Sequence, residues 1–414
     1  MTDLAGMTTL PYDQRTEAFL EYVDRGRAAG PVAKSEQPGV WEVFGYDEAL
    51  QVLGDFRTFS SDMNDLIPED ERELAGAAQG NFLGVDPPHH TQMRELVRRA
   101  FTPNVIARLE PVIAETANQL LDGIELSADG SGTFDVVADF AAPLTARVIA
   151  KLFGIPEKDH GLFTVWADAL LGARPAGELG KADESAVREL GELVRFASAY
   201  LLGIIDERRA KPEDDLITAL TTAEVDGRSL SDHEIVGVIG MFVIAGHLPS
   251  SVLVGNTVMS LDSHPDVLAE VRSDLGLLPD VIEEVLRWRS PLVRDQRVAA
   301  CDTELGGEHI PAGAMVCVWL ASAHRDATRF ERAEEFDIRR SDRSRHVAFG
   351  KGIHFCLGAP LARMEARIAL TALLERFERI EVPADSDIRF HPSIGVLGPV
   401  RLPVAVHGSS TPAG

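Results

Sequence analysis

A single cysteine near the C-terminus stands in a setting that suits a metal ligand. Cys356 follows the glycine-punctuated segment Phe349-Gly-Lys-Gly-Ile-His-Phe and precedes an apolar run from Ala359 to Phe377. The run predicts a buried helix, in which Pro360 fits only near the first turn. Cys356 should therefore lie at a helix N-terminus, where backbone N–H groups and the helix dipole stabilise an anion. A thiolate that is stabilised in this way is a metal ligand.

This segment matches a known heme-binding signature, position for position. Its residues fit the pattern Phe-Gly-x-Gly-x-His-x-Cys-x-Gly, so the chain resembles the cytochrome P450 family. The resemblance implies that Cys356 is the proximal iron ligand of heme b (iron protoporphyrin IX), with Phe349, Gly350 and Gly358 beside the cofactor. In this family the thiolate pushes electron density towards iron and favours O–O cleavage. Taken alone, Cys356 would more often be a buried structural cysteine.

Four residues match the family's ligands for the two heme propionates. His90 and Arg94 lie in Asp86-Pro-Pro-His-His-Thr-Gln-Met-Arg94, four positions apart and so on one helix face. Arg297, in Arg-Val-Ala, and His354, in the cysteine segment, match the other two ligands. The resemblance therefore implies a propionate site at these four positions, although each residue alone would more often be an ordinary solvated group.

Glu284 and Arg287 match the family's Glu-x-x-Arg pair, whose i,i+3 spacing puts both residues on one helix face. By resemblance their role is structural, because in the family this pair holds the heme-binding loop. The alternative is a generic surface ion pair. Some family members have a third partner, an arginine, where this chain has glutamate in Ala333-Glu-Glu-Phe. We expect Arg339 or Arg340 to take its place.

The central helix contains the main departure from the family pattern. Most members have Ala-Gly-x-Glu/Asp-Thr, whose acid and alcohol relay protons to iron-bound dioxygen. This chain reads Ala245-Gly246-His247-Leu248-Pro249-Ser250, so leucine and proline replace the acid and the alcohol. A proline inside a helix cannot donate a backbone hydrogen bond and costs about 3 kcal/mol relative to alanine. We therefore expect a kink at Pro249 and a freed carbonyl at Ala245.

Three interpretations of this departure remain open. Ser250 could supply a hydroxyl through water, or a hydroxyl or amine of the substrate could complete the relay. Alternatively, the chemistry could need no normal relay, as in oxidative coupling, cyclisation, nitration or peroxide-driven oxidation. We favour the second and third interpretations. His247 could carry protons, although packing or substrate contact is more common there, so the candidate catalytic residues are Ala245, Gly246, His247 and Ser250.

The elements that must position these residues indicate a mainly α fold with smaller β-sheets (α+β). Residues 40–44 alternate like a strand, residues 46–53 resemble a short helix, and residues 56–62 form a second extended piece. Helices dominate from Arg94 onward, including one over residues 187–208. The central helix begins at the capping box Ser231-Asp-His-Glu234, runs to about Leu261 and is apolar on every face, which is typical of a buried helix. By resemblance, the heme lies between this helix and the cysteine segment.

Composition limits the domain organisation and the function class. The 414 residues are 45% hydrophobic, which is enough for a sizeable core, and no linker or repeat marks a boundary. We predict a single domain over residues 1–407, with a β-containing part at about 1–85, and a disordered tail over 408–414. The net charge of -25 argues against non-specific nucleic-acid binding, and three cysteines do not make a disulfide framework.

Localisation and redox supply follow from features that the sequence lacks. The first 15 residues do not resemble a signal peptide, and the apolar stretch 235–248 is too short to span a bilayer. The chain therefore resembles the soluble bacterial type, and we expect a cytoplasmic monomer without a membrane anchor. No strand-linked Gly-x-Gly-x-x-Gly is present, so electrons should come from a ferredoxin and ferredoxin reductase. The docking face would contain Arg98, Arg99, Arg345 and Lys351.

The segments that line the family's substrate pocket are mostly aliphatic here, which predicts an apolar pocket for a small organic substrate. The candidates are Leu66, Phe82, Leu83, Leu171, Leu292, Val293, Val396 and Leu397, and we expect about half of them to be plain core. Arg174, Arg294 and His247 could meet a carboxylate or phenol. The resemblance implies a dioxygen-activating monooxygenase, in our interpretation one of natural-product biosynthesis. The alternatives are the atypical oxidations named above, or a non-catalytic heme sensor or carrier.

Overall fold

The computed structural model describes residues 4–7, 10–63, 80–163, 165–166 and 184–408. Three pocket candidates, Leu66, Leu171 and Arg174, lie outside these ranges, and so does the tail from residue 409. The helices α1 to α14 span Leu4–Met7, Tyr12–Ala29, Tyr46–Gly54, His89–Ala100, Pro103–Ala107, Glu110–Asp122, Ala142–Leu152, Glu184–Ala210, Leu216–Thr222, Asp232–Asp262, Pro265–Ser273, Leu278–Trp288, Leu320–Ala323 and Ala359–Arg376. A π-helical segment, Val136–Ala141, precedes α7, and 3-10 turns occupy Glu157–Asp159, Leu275–Leu277, Arg343–Arg345 and Gly352–His354.

The strands form small sheets around this helical body. Strands β1 to β14 span Val32–Lys34, Val40–Val43, Phe59–Ser60, Ser131–Asp135, Glu224–Val225, Arg228–Ser229, Asp295–Ala299, Thr303–Leu305, Glu308–Ile310, Met315–Val318, Phe377–Glu381, Arg389–Phe390, Pro399–Arg401 and Pro403–Gly408. The largest sheet has the order β1-β2-β10-β7-β3, and a second has the order β11-β14-β4. The predicted mainly α fold with smaller sheets is therefore confirmed.

The N-terminal strands share their sheet with strands from the second half of the chain. Strand β2 pairs in parallel with β10, with Val40 opposite Met315, and β10 pairs antiparallel with β7, with Val316 opposite Arg297. The sheet thus joins residues 32–60 to residues 295–318, beyond the limit of about residue 85 that we drew for the β-containing part. The single domain over 1–407 stays a prediction.

Helix α10 is the central helix that the capping box predicts. The Ser231 hydroxyl accepts from the Glu234 N–H at 3.2 Å, and the Glu234 carboxylate accepts from the Ser231 N–H at 2.9 Å. The helix continues through Pro249 to Asp262. It is long and apolar enough to cross a membrane, but 61% of its most apolar stretch is buried inside the protein, as in the core helix of a globular domain.

Candidate active site

The cysteine segment folds into a tight loop that requires two of its glycines. The Cys356 N–H donates to the Phe349 carbonyl at 2.9 Å, which closes the loop directly before α14. Gly350 and Gly352 have φ of 71° and 69°, in the left-handed region that favours glycine. A Cβ on Gly352 would also lie 2.8 Å from the Leu53 carbonyl oxygen. The glycines therefore fix the path by which the loop reaches the helix N-terminus.

The Cys356 sulfur receives hydrogen bonds from the backbone N–H groups of Gly358 and Ala359. Burial raises the pKa of the Cys356 thiol, while these N–H groups and the nearby Arg94 and Arg363 act in the opposite direction. The helix N-terminus alone therefore does not make a free thiolate, contrary to our expectation from the sequence. A metal ion deprotonates a coordinating thiol, so this arrangement fits a sulfur that becomes an anion when iron binds it.

Two histidines lie side by side with buried ring nitrogens. The ring centroids of His90 and His354 are 4.3 Å apart, and among the described residues none of their four nitrogens has a hydrogen-bond partner. Burial lowers the pKa of both imidazoles, that of His354 to about 4, with smaller contributions from His90 and Arg297. Buried polar groups are nearly always paired. These nitrogens therefore fit a polar group that the polypeptide does not supply, such as a heme propionate.

The two arginines of the predicted propionate set also reach this region. Arg94, on α4, donates to the carbonyl of Phe355 at 2.5 Å, next to Cys356. Arg297, on β7, donates to Asp295 Oδ1 and to the Gln296 carbonyl, both at 2.7 Å. The fold thus brings together cationic and histidine side chains from α4, β7 and the cysteine loop, and this set suits the acidic edge of a heme.

An exposed apolar stretch interrupts the otherwise buried helix α10. Ile244 is 44% exposed and Ala245 is also exposed, while the residues from Ser250 to Leu261 are buried. Leu83 and Leu292, two of the pocket candidates, are 46% and 36% exposed. Large apolar side chains at accessible positions within a core element fit a covering group that is itself apolar. Heme and an organic substrate have this character.

His247 packs against a neighbouring helix. Its side chain is 3% exposed, and its Nδ1 lies 2.8 Å from the hydroxyl of Thr145 on α7. The adjacent Gly246 allows this contact between helices, because a Cβ there would lie 2.9 Å from Ile149 Cδ1. This environment resembles that of a packed core histidine, which was the simpler of our two interpretations. A catalytic role of His247 stays a prediction.

Ser250 has a buried carboxyl group as its partner, which our sequence reasoning missed. Its side chain hydrogen-bonds Glu365 of α14, which is 2% exposed. The Oε1 atom of this carboxyl has no hydrogen-bond partner among the described residues. Burial raises the pKa of Glu365 to about 8, although the bond from Ser250 lowers it. The signal was a lone glutamate on the buried face of an apolar helix, between Leu361 and Ile368. A carboxyl group that holds its proton near neutrality therefore lies next to the altered motif of α10.

Glu284 and Arg287 form a fully buried ion pair rather than a surface one. Arg287 Nη2 and Nε donate to the two Glu284 oxygens at 2.7 and 2.9 Å, and both side chains are 0% exposed. Arg340 Nε donates to Glu284 Oε1 at 2.9 Å and is the third member of the cluster. Arg339 instead pairs with Glu270 and is 69% exposed. Of our two candidates, Arg340 is the one that contacts the pair.

The remaining pocket candidates divide between core and accessible positions. Phe82 is buried and packs edge-on against His90, with ring centroids 6.0 Å apart. Val293, Val396 and Leu397 are buried, while Leu292 is partly exposed and pairs with Val396 through a β-bridge. Arg294 hydrogen-bonds the buried Cys317. The exposed members, Leu83 and Leu292, are the ones whose surface a ligand could cover.

The chain matches the family model of cytochrome P450 over residues 41–401. It belongs to the cytochrome P450 family. It is 39% identical over 394 residues to erythromycin C-12 hydroxylase of Saccharopolyspora erythraea, with 95% of each chain covered. It is 40% identical over 375 residues to cyclomarin C epoxidase CymV of Salinispora arenicola, with 91% of this chain and 92% of the relative covered.

Solved structures of other bacterial P450s share the fold. Substrate-free CYP109E1 from Bacillus megaterium has a TM-score of 0.86 at 36% identity, and the match covers 94% of this chain and 98% of that one. This P450 is therefore an oxidoreductase of the monooxygenase type whose cofactor is heme. The Cys356 sulfur suits a bond to the heme iron, and the ring nitrogens of His90 and His354 suit hydrogen bonds to its propionates.

Proposed function

We propose that this P450 uses external electrons and dioxygen to oxidise a small organic substrate in bacterial natural-product biosynthesis. The observation that carries the proposal is the Cys356 loop, with its sulfur facing two N–H donors and two unpaired histidines nearby. Relatives named as an erythromycin C-12 hydroxylase and a cyclomarin C epoxidase support this substrate class.

The heme would be held by Cys356 at its iron and by His90, Arg94, Arg297 and His354 at its propionates. When bound, the heme supplies the iron at which dioxygen is activated. The protein's own task is to hold the thiolate, pair the propionates and exclude water from the cofactor. The guanidinium groups of Arg94 and Arg297 and the imidazoles of His90 and His354 suit the pairing of the propionates, because a carboxylate in a low-dielectric site needs hydrogen-bonded partners.

The experiment is carbon monoxide difference spectroscopy of the reduced protein, with Cys356→Ser as the variant. We expect the wild type to show the absorption band of a thiolate-ligated complex and the variant to lose that band. Heme content is measured in both proteins, since a variant that retains heme without the band isolates the ligand. An unchanged spectrum in Cys356→Ser would refute the assignment of the ligand.

For proton delivery we propose the pair Ser250 and Glu365 in place of the usual acid and alcohol. Leu248 has no ionisable group and Pro249 has no hydroxyl, whereas the Glu365 carboxyl is buried and hydrogen-bonded to Ser250. A carboxyl whose pKa is raised to about 8 keeps a proton that it can release through the serine hydroxyl. From the sequence we favoured substrate-assisted proton delivery or a reaction that needs no normal relay. Both remain alternatives to the Ser250–Glu365 pair, and the product formed per reductant consumed by Glu365→Gln distinguishes them from it.

We further propose a ferredoxin with its reductase as the electron source, and a cytoplasmic monomer as the working form. Part of the expected basic face is already paired, because Arg98 forms two bonds to Glu95 at 2.8 Å and Arg99 approaches the same carboxylate at 3.4 Å. Lys351 is exposed on the cysteine loop. These partial pairings predict a modest electrostatic attraction for an acidic ferredoxin.

A further inference from the structure

A group of four side chains links the cysteine loop to helix α12. The group consists of Glu283 on α12, His346 and Phe349 before the loop, and Arg363 on α14; we call it the Glu283 cluster. Arg363 Nε and Nη2 donate to Glu283 Oε1 and Oε2 at 2.5 and 3.0 Å. His346 Nε2 lies 3.2 Å from Glu283 Oε2. One carboxylate thus holds a guanidinium and an imidazole in fixed positions.

The tautomer of His346 follows from its other nitrogen. The backbone N–H of Ala348 donates to His346 Nδ1 at 3.2 Å. Nδ1 therefore accepts, so the ring proton lies on Nε2 and the bond to Glu283 runs from imidazole to carboxylate. Glu283 and Arg363 are thus the oppositely charged pair of the cluster, and His346 hydrogen-bonds the same carboxylate.

The cluster reaches the iron ligand through Phe349. The guanidinium carbon of Arg363 lies 4.5 Å from the centre of the Phe349 ring, in the geometry of a cation–π contact. The carbonyl of the same Phe349 accepts the N–H of Cys356 at 2.9 Å. A change at Glu283 would therefore affect Cys356 through Arg363, the Phe349 ring that Arg363 contacts, and the hydrogen bond from Cys356 to the Phe349 carbonyl.

We propose that Glu283 is a positioning residue that sets the reduction potential of the heme, by orienting Arg363 over Phe349 and balancing its charge beside the Cys356 thiolate. This inference rests on the proposed function, because it takes Cys356 as the iron ligand. Glu283 itself does not touch the cofactor in the proposal. It acts through Arg363, whose guanidinium it holds against the Phe349 ring of the cysteine loop.

The direction of the effect follows from charge. Reduction adds one electron to the heme and thiolate, so a positive charge near the sulfur stabilises the reduced form. In the wild type Glu283 cancels part of the field of Arg363. Glu283→Gln keeps the shape and a hydrogen-bonding oxygen but removes the negative charge, so the uncompensated guanidinium should favour reduction.

The test is a spectroelectrochemical titration of the heme-loaded protein. We expect Glu283→Gln to raise the midpoint potential, with the ratio of reduced to oxidised heme at a given potential increasing about threefold, or ~28 mV for one electron. Glu283→Asp keeps the charge and should return the potential towards the wild-type value. The double variant Glu283→Gln with Arg363→Gln removes both charges and should reverse most of the rise.

The matched control is Glu110→Gln. Glu110 pairs with Arg367, one turn further along α14, at 2.6 Å, and both side chains are partly exposed, as Arg363 is. This variant also leaves an arginine of α14 without its carboxylate, but the ring contact with Phe349 is made by Arg363. We expect its midpoint potential to equal that of the wild type.

The outcomes separate the inference from the proposed function. If the wild-type carbon monoxide complex lacks the thiolate band, Cys356 is not the ligand and the proposed function fails. If the band is intact in all variants and Glu283→Gln leaves the potential unchanged, or moves it no more than Glu110→Gln does, only the positioning role fails. If Glu283→Gln binds no heme, Arg363→Gln decides, because it removes the positive charge of the cluster and should lower the midpoint potential, so an unchanged potential there contradicts the role.

Discussion

At the scale of single residues, Glu365 is a carboxyl group in a buried environment, with 2% of its surface exposed. It lies on an apolar helix face, and within the described residues its carboxyl has Ser250 as its hydrogen-bond partner. A buried carboxyl with one unpaired oxygen is costly unless it stays protonated. This chain has leucine and proline at the positions of the usual acid and alcohol, and it has this carboxyl group beside the altered motif. This placement is the basis on which we propose a role for Glu365 in proton supply.

We expect Glu365→Gln to lower product formation per reductant consumed by about tenfold or more, because an amide cannot release a proton at neutral pH. Introducing Leu248→Glu and Pro249→Thr into this variant should restore part of the coupling by supplying the usual pair. Glu375→Gln, at an exposed position of the same helix, is the control and should have no effect. Unchanged coupling in Glu365→Gln would favour delivery by the substrate or a reaction that needs no relay.

The same substitution gives a pH-dependent stability difference. The folded-state pKa of Glu365 lies at about 8, above its ordinary value of 4.5, so the folded protein holds a proton that the unfolded chain has released. Stability therefore falls as pH rises from about 4.5 to about 8, because unfolding releases that proton. Urea unfolding over this range should show the decline in the wild type and a smaller one in Glu365→Gln. Parallel curves would mean that the carboxyl is ionised when folded.

At the scale of elements, an ion cluster attaches helix α12 to the segment that leads towards the cysteine loop. Arg287 donates to the carbonyls of His324, Ala333 and Glu335, at 3.0, 2.7 and 2.8 Å. Arg340 donates to the Arg332 and Glu335 carbonyls at 3.0 Å each. Residues 324–342 form no helix or strand, and these side chains supply partners for several of their backbone carbonyls. Its charges are buried, so each depends on its partners.

We expect Arg340→Ala to reduce the free energy of unfolding by about 3–5 kcal/mol, since it leaves Glu284 with an incomplete set of partners in the core. The neighbouring Arg339→Ala is the matched control. Arg339 is 69% exposed and pairs with Glu270 at the surface, so its loss should cost less than about 1 kcal/mol. Urea unfolding of the heme-loaded variants measures both. Equal losses would show that the buried cluster is not the main tie between these elements.

At the scale of the whole molecule, this P450 carries a strongly negative net charge, and the ferredoxin that we propose as its electron donor is also acidic. The net charge of -25 opposes that encounter, so association depends on local cations near Cys356. Of these, Arg98 and Arg99 share the carboxylate of Glu95. The pairing holds them on one face but weakens their attraction for an incoming anion.

We expect reduction by an acidic ferredoxin to slow as salt concentration rises, because the local attraction is screened. Glu95→Gln should accelerate reduction at low salt and steepen the salt dependence, since it frees two cations. Lys351→Ala should have the opposite effect on the rate. Stopped-flow reduction under carbon monoxide measures all three. A rate that is independent of salt in every variant would mean that docking does not use this face.

The sequence by itself determined the family, the cofactor and the principal elements. The cysteine segment and the capping box are local patterns, since backbone conformation and helix initiation depend on residues a few positions apart. For the same reason the strand at Val40–Val43 and the helix at Tyr46–Gly54 could be predicted to within a few residues. The Glu-x-x-Arg pair was likewise visible from its i,i+3 spacing.

Only the tertiary structure decided which distant residues meet. The choice of Arg340 over Arg339, the bond between Ser250 and Glu365, and the stacking of Arg363 on Phe349 each join positions that are far apart in the chain. Burial also reversed one local expectation, because it raises the pKa of Cys356 against the helix N-terminus. Desolvation and partner geometry are properties of the packed core, and no short sequence pattern encodes them.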